Sequence, residues 1–219
     1  MPEKIYTYES DEIEVTWDKF KCIHAKECVH GLPGVFNIDE KPWIQPGKSA
    51  ADKVAKVITK CPTGALQFKR KDGGEKEPIP RRNDLTLVED GPVYLKGNLN
   101  IKNLDGEVIA EETRAAFCRC GKSTNKPYCD NSHIKAEFKA GTEYNPERLL
   151  LEETDESGGE LSVTIFPNAP FVVEGNYTLN GSDQAISTQK KMSFCRCGAS
   201  SNKPFCDGSH KEAEFRSEE

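Results

Sequence analysis

Residues 118–133 read CRCGKSTNKPYCDNSH, and residues 195–210 read CRCGASSNKPFCDGSH. Cys118, Cys120, Cys129 and His133 recur 77 positions later as Cys195, Cys197, Cys206 and His210, with every spacing kept. A repeated donor set of three thiols and one imidazole predicts a repeated metal site. Cys118 and Cys120 flank one residue, and in extended backbone such side chains point the same way, which lets two thiolates meet one metal. Cys129 and His133 are four apart, the separation that places side chains on one helical face, and Asp130 is the expected N-cap. Gly121 is expected to turn the chain, and Pro127 to stiffen its return. Three Cys and one His close a tetrahedral zinc site, and the same ligand types serve iron-sulfur chemistry, so spacing alone leaves both open.

The order C-x-C-x2-S-x3-P-x-C-D-x-S-H, with Ser123 and Ser200 in the serine slot, resembles the signature of the CDGSH iron-sulfur family. The resemblance implies a 2Fe-2S cluster at each set, two Cys on one iron and Cys plus His on the other. Asn131 stands where the second copy has Gly208, and Asn is among the few side chains that tolerate the backbone Gly often supplies. The alignment extends past the ligands: Pro92 matches Pro170 and Gly97-Asn98 matches Gly175-Asn176, now offset by 78. Apolar runs such as VYLKGNLNI, LLLEE, LSVTIF and FVVEGNYTL read as strands, separated by DGE, ESGGE and NGSD turns. Two β-rich modules are therefore expected, 85–140 and 141–219. In the CDGSH family two such units join as a homodimer by strand exchange, so the resemblance implies an intramolecular pseudo-twofold pair here.

Ahead of them, DEIEVTW alternates polar and apolar like a half-buried strand, and SAADKVAKVITKCP predicts a helix. Ser49 is its expected cap and Val54, Val57, Ile58 and Cys61 its apolar stripe. Pro62 ends it and ALQFKR returns as a strand. Against the bacterial C-x2-C-x2-C pattern with a remote C-P, Cys22 takes the first slot, Cys28 the third and Cys61 the remote one. Ala25 falls in the second slot, where a methyl group binds no iron. With KPWIQP and CPTGAL, residues 5–70 resemble the divergent single-cluster ferredoxin domain. Three thiolates suffice for 3Fe-4S, the favoured expectation, whereas 4Fe-4S needs a fourth ligand and His24 lies one residue out of register. His24 and His30 are expected to be neighbours of the site or surface residues. Residues 71–84, KDGGEKEPIPRRND, read as a linker.

The expected fold class is thus α+β: a small ferredoxin-like domain over 1–70, a linker, and the paired modules. Nine cysteines, an odd count at ligand-like spacings, argue for reduced thiols in a cytoplasmic setting rather than a disulfide framework. No signal-peptide run opens the chain and no stretch approaches the ~20 apolar residues of a membrane span. Lys and Arg against Asp and Glu number 11 to 10 over residues 1–70 and 19 to 26 beyond, so the tandem region is acidic and a nucleic-acid partner is not expected. No dinucleotide fingerprint, P-loop or nucleophile elbow occurs, and no catalytic residue or enzyme activity is expected. The expected role is electron transfer by two 2Fe-2S clusters and one 3Fe-4S or 4Fe-4S cluster, with an unidentified redox partner, in a monomer or weak oligomer. The alternatives are cluster delivery or redox and pH sensing, and a zinc-braced interaction module.

Overall fold

The computed structural model describes residues 5–149 and 158–217. The chain divides into two compact units, Met1–Pro78 and Ile79–Glu219.

The first unit is a three-stranded antiparallel sheet of β1 (Ile5–Glu9), β2 (Ile13–Asp18) and β3 (Leu66–Arg70), with β2 in the middle. Between β2 and β3 lie two helices, α1 (Glu27–Gly31) and α2 (Ala51–Ile58). The alternation in DEIEVTW holds, since Ile13 and Val15 are buried against Val54, Val57 and Ile58 of α2, while Trp17 is half-buried. Ser49 does not cap α2. It closes a 3-10 turn over Pro46–Lys48, and Ala50 takes the cap position with no side-chain hydrogen bond. Nor does the helix reach Cys61, whose N–H donates to the Ile58 carbonyl in the turn that follows. Strand β1 was not legible, because its residues are mostly exposed and carry no apolar period. Tyr6 of β1 packs on Trp17 at 5.4 Å between ring centroids, and Trp17 meets Trp43 of KPWIQP edge-on at 5.0 Å. That motif contributes Ile44 to a mostly aliphatic core and packs Trp43 against its side.

The second unit contains one eight-stranded sheet. Its strands are β4 (Asp84–Leu87), β5 (Val93–Lys102), β6 (Val108–Phe117), β7 (Glu160–Ile165), β8 (Phe171–Glu174), β9 (Tyr177–Asn180), β10 (Ala185–Thr188) and β11 (Met192–Phe194), with a short helix α3 (Ser132–Lys135) after β6. The LLLEE reading falls largely on 150–157, outside the described residues. Strand β5 buries Val93, Leu95, Leu99 and Ile101 on one face, with Gly97 between them at a break in its register with β6. The break lets one strand serve two neighbours: its first half pairs antiparallel with β4 and its second half parallel with β7.

The two parallel ladders correspond. Asp84, Leu85 and Thr86 of β4 pair with Thr178, Leu179 and Asn180 of β9. Adding 78 to the first set gives Ser162, Val163 and Thr164 of β7, which pair with Asn100, Ile101 and Lys102, the residues 78 before the second set. Each half of the repeat thus lends a strand to the other, and a sheet edge that would otherwise invite another chain is paired internally. Asn83, 2% exposed, ties the exchange: its Nδ2 donates to the carbonyls of Gly159 and Asn176 and its Oδ1 accepts from Asn98 N. A continuous aromatic run, Phe117, Phe171, Phe194 and Phe205, crosses the core with successive centroids 5.2 to 5.6 Å apart. Phe117 and Phe194 directly precede Cys118 and Cys195, so the core anchors the start of each donor set.

Candidate metal centres

The halves of each CDGSH donor set are joined by a β-bridge, Phe117 to Tyr128 in the first copy and Phe194 to Phe205 in the second. Around it, Cys118 N donates to Pro127 O at 2.9 Å and Cys129 N to Ala116 O at 2.8 Å; Cys195 with Pro204, and Cys206 with Ser193, repeat the arrangement. This places Cys129 beside Cys118, although eleven positions separate them. Cys118 Sγ lies 3.5 Å from Cys120 Sγ, and Cys129 Sγ lies 3.4 Å from His133 Nδ1. In the second copy the distances are 3.6 and 3.4 Å. The four donors therefore come as two pairs, and among the described residues no three Cys, His, Asp or Glu side chains crowd one ion-sized point.

The helical reading of Cys129 and His133 needs correction. Helix α3 starts at Ser132, beyond Cys129, and the corresponding stretch of the second copy is a turn. The sulfur and the ring meet because residue 131 or 208 swings the chain through the left-handed region, φ 70° at Asn131 and 95° at Gly208. Asn does the work of Gly there, as its tolerance for that backbone predicts. Asp130 is not the N-cap either, which is Asn131. Its carboxylate stitches the loop instead, with Oδ1 accepting from Ser132 N and Oδ2 from both Thr124 N and Thr124 Oγ1. Burial opposes its ionisation, but these bonds favour the anion more strongly and hold its pKa at about 2. Asp207 repeats the stitch with Ser201 and Ser209. Ser123 and Ser200, each 1% exposed, donate to the carbonyls of Tyr128 and Phe205 and accept from the N–H groups of Asn125 and Asn202. The serine slot of the motif is thus a loop brace.

Thiolate formation is favoured at one member of each close pair. The Cys120 thiol and the N–H groups of Ser123 and Gly121 lower the pKa of Cys118, while Cys120 resists a second negative charge beside it. Cys195 and Cys197 behave alike. Burial pushes Cys129 up to about 12 and lowers the pKa of His133, so the uncharged form of each is preferred until a cation arrives.

Arg119 and Arg196, each between two of the cysteines, are buried, 3% and 2% exposed. Arg119 Nε donates to Gly91 O at 2.8 Å, its Nη1 and Nη2 reach Gly141 O and Val88 O, and its guanidinium lies over Phe138 at 5.9 Å. Arg196 does the same with Ala169 and Phe166 and lies over Phe215 at 5.5 Å. Burial lowers both pKa values. The charge of Cys195 opposes this at Arg119, and that of Cys118 opposes it at Arg196, so each arginine feels a thiolate of the other donor set. The loops themselves touch. Gly121 has φ 75°, and a Cβ there would lie 2.5 Å from the carbonyl oxygen of Cys197; Gly198 has φ 79°, and a Cβ there would lie 2.8 Å from that of Cys120.

The two sets differ in access. Cys118, Cys120 and Cys129 are all buried, whereas Cys197 and Cys206 are only half-buried. Beside Cys206 a cavity of about 400 Å³ is lined by Arg148, Lys190 and Lys191. An anionic iron chelator is therefore expected to strip the second set first. The check is the rate of colour loss in Cys118→Ser and Cys195→Ser, each retaining one set, with the faster loss expected in Cys118→Ser.

In the first unit, Cys22 lies in the loop after β2, Cys28 on α1, and Cys61 in the turn after α2. All three line one cavity of about 500 Å³ walled by Trp17 and Trp43. Burial, then the nearby Cys61 and Cys22, pushes the Cys28 thiol up to about 11, which marks the three as electrostatic neighbours. Ala25 and His24 line the same cavity, while His30 does not.

Known proteins fall on the same two units. A family model described as a divergent 4Fe-4S mono-cluster matches residues 8–71, and one described as an iron-binding zinc finger of CDGSH type matches residues 90–134 and 168–211. An uncharacterized protein of Escherichia coli K12, YjdI, is 39% identical over 64 residues, 29% of this chain and 84% of its own length. A CDGSH iron-sulfur domain-containing protein 2 homolog of Drosophila erecta is 33% identical over 119 residues, 52% of this chain and 78% of its own. The homolog of Drosophila sechellia is 49% identical with the same coverage. No solved structure matches the chain.

Proposed function

The chain belongs to the CDGSH iron-sulfur family, with a divergent 4Fe-4S unit at its N-terminal end, and from that premise we propose that it is a non-enzymatic electron-transfer protein with three clusters. The observation that carries the reading is the arrangement of each CDGSH donor set as two pairs at 3.4 to 3.6 Å. One pair per metal suits a dinuclear centre, whereas a single zinc ion would draw all four donors to one point. Cys118 and Cys120 would hold one iron of a 2Fe-2S cluster, and Cys129 Sγ with His133 Nδ1 the other; Cys195, Cys197, Cys206 and His210 would hold the second cluster. Cys22, Cys28 and Cys61 would hold a third, polynuclear cluster in the cavity they share. Three thiolates satisfy 3Fe-4S, and a fourth donor completes 4Fe-4S. When bound, such groups accept and release single electrons at potentials set by ligands, hydrogen bonds to sulfur and exposure.

The chain's own residues supply those hydrogen bonds. Lys122 N and Ala199 N point at the sulfurs of Cys120 and Cys197 at 3.4 Å, and Asn131 N at that of Cys129 at 3.5 Å. If Nδ1, the nitrogen 3.4 Å from the neighbouring sulfur, held the iron, Nε2 of each histidine would be the position left to hold a proton. The reciprocal strand ladders support an intramolecular pseudo-twofold pair, the arrangement expected from the family's homodimers. Among the described residues no helix is long and apolar enough to cross a membrane.

The test is iron and acid-labile sulfide analysis of anaerobically purified protein. We expect about seven or eight irons and eight sulfides per chain, from two dinuclear clusters and one of three or four irons. Stoichiometric zinc with little iron and no sulfide would replace this reading by the zinc-braced one.

A further inference from the structure

We infer that His24 is the fourth ligand of the N-terminal cluster, completing a 4Fe-4S centre with Cys22, Cys28 and Cys61. The inference rests on the proposal that these thiols hold a cluster, and it assigns a role that sequence register withholds from His24.

Four observations converge. The cavity that contains all three cysteines is also lined by His24. Ala25, in the slot where the ferredoxin pattern has its second cysteine, lines it as well, so that corner is presented to the cavity but carries only a methyl group. The backbone accounts for the shift of register. His24 and Lys26 sit in the left-handed region at φ 56° and 64°, while Ile23 is buried. Two such residues within one ligand loop break the regular alternation from which a one-residue offset would turn a side chain away. Their conformation is unfavourable for non-glycine residues, so it marks a loop held for a purpose.

Other polar side chains around the cavity are engaged or less suited. Glu40 pairs with Lys48 at 2.6 Å and accepts from Gln45 and Asn37. Thr63 Oγ1 accepts from Ala65 N and lies 3.5 Å from Cys61 Sγ. Glu27 is an exposed carboxylate in the first turn of α1. The His24 imidazole makes no hydrogen bond or ion pair among the described residues. It is exposed, so it can close a cluster on its solvent side while the thiolates hold the inner corners. A neutral imidazole is a sound iron ligand and adds no negative charge to a site that already gathers three thiolates.

The experiment uses full-length protein purified without oxygen: the parent, His24→Ala, His24→Cys and Glu27→Gln. We expect about eight irons and eight sulfides per chain in the parent, His24→Cys and Glu27→Gln, and about seven irons with eight sulfides in His24→Ala. A corner without its ligand releases one Fe²⁺ and leaves a three-iron core, which one equivalent of ferricyanide oxidises by one electron to a paramagnetic form. Its EPR signal is expected to be strong in His24→Ala and weak in the other three. Loss of all four irons from His24→Ala, with retention in His24→Cys, carries the same conclusion. Seven irons and a strong three-iron signal in the parent would overturn the assignment. So would eight irons in His24→Ala, or a loss confined to Glu27→Gln, which would give the corner to the carboxylate. Zinc in place of iron would refute the cluster reading itself, a different outcome from any of these.

Discussion

His133→Cys is expected to retain iron at its site through acid exposure that empties the parent. An imidazole nitrogen can bind iron or a proton but not both, so its affinity for metal falls as pH drops through its titration range, about pH 6.5 for ordinary histidine. Burial lowers the pKa of His133 in the metal-free protein, which keeps the ring neutral and ready to bind down to a lower pH. The sign is therefore fixed: binding is fully present above that range and is lost on acidification. A thiolate in the same place competes for metal more strongly. At about pH 5, visible absorbance of the parent should decay in two CDGSH phases, and in His133→Cys only the phase from His210 should remain. Equal decay in both proteins would remove His133 from the ligand set.

The second large effect is expected at Arg119. Replacing it with Leu removes every donor it sends to Val88 and Gly91 of one turn and to Gly141 of a distant stretch. Loss of three charge-assisted bonds, one of them to the buried Gly91, and of the stacking on Phe138 together costs about 3–5 kcal/mol. Arg119→Lys should recover little, because one ammonium cannot reproduce a planar fork serving three acceptors. Thermal unfolding followed by far-UV circular dichroism checks this, and a shift within a degree or two of the parent for either variant would contradict it. Because Arg119 also faces Cys195, we expect the second donor set to lose iron faster in Arg119→Leu, although none of its own residues has changed.

What could be read from sequence follows from how local each cause is. The donor sets were legible because thiols and imidazoles at fixed spacing carry their chemistry with them, and the left-handed turn at Asn131 because its counterpart is Gly208. The strands of the tandem region were legible from alternation, as in β5. By contrast, the carbonyl partners of Arg119 and Arg196 lie roughly 20 to 30 positions away in irregular segments, and no spacing rule points to them. Ser49 and Asp130 were misread for a related reason. Each is a good capping residue, but its local partner turned out to be a tight turn rather than the helix beyond it. The backbone around His24 was not legible either: slot counting compares spacings alone, and no spacing reveals the left-handed conformation of residues 24 and 26.

The meeting of Gly121 with Cys197, and of Gly198 with Cys120, constrains how the two copies could have diverged. Duplication ordinarily frees one copy to change while the other keeps the original task. Here each copy's turn is moulded on the other's backbone, so a side chain accepted at one glycine must be accommodated by displacing a cysteine of the sister site. Changes that look independent in sequence, 77 positions apart, are therefore expected to be strongly non-additive. The same contact argues against dividing the protein for study: a fragment cut between the copies would part the loops that shape both donor sets and strip each half of the shared sheet of its borrowed strand.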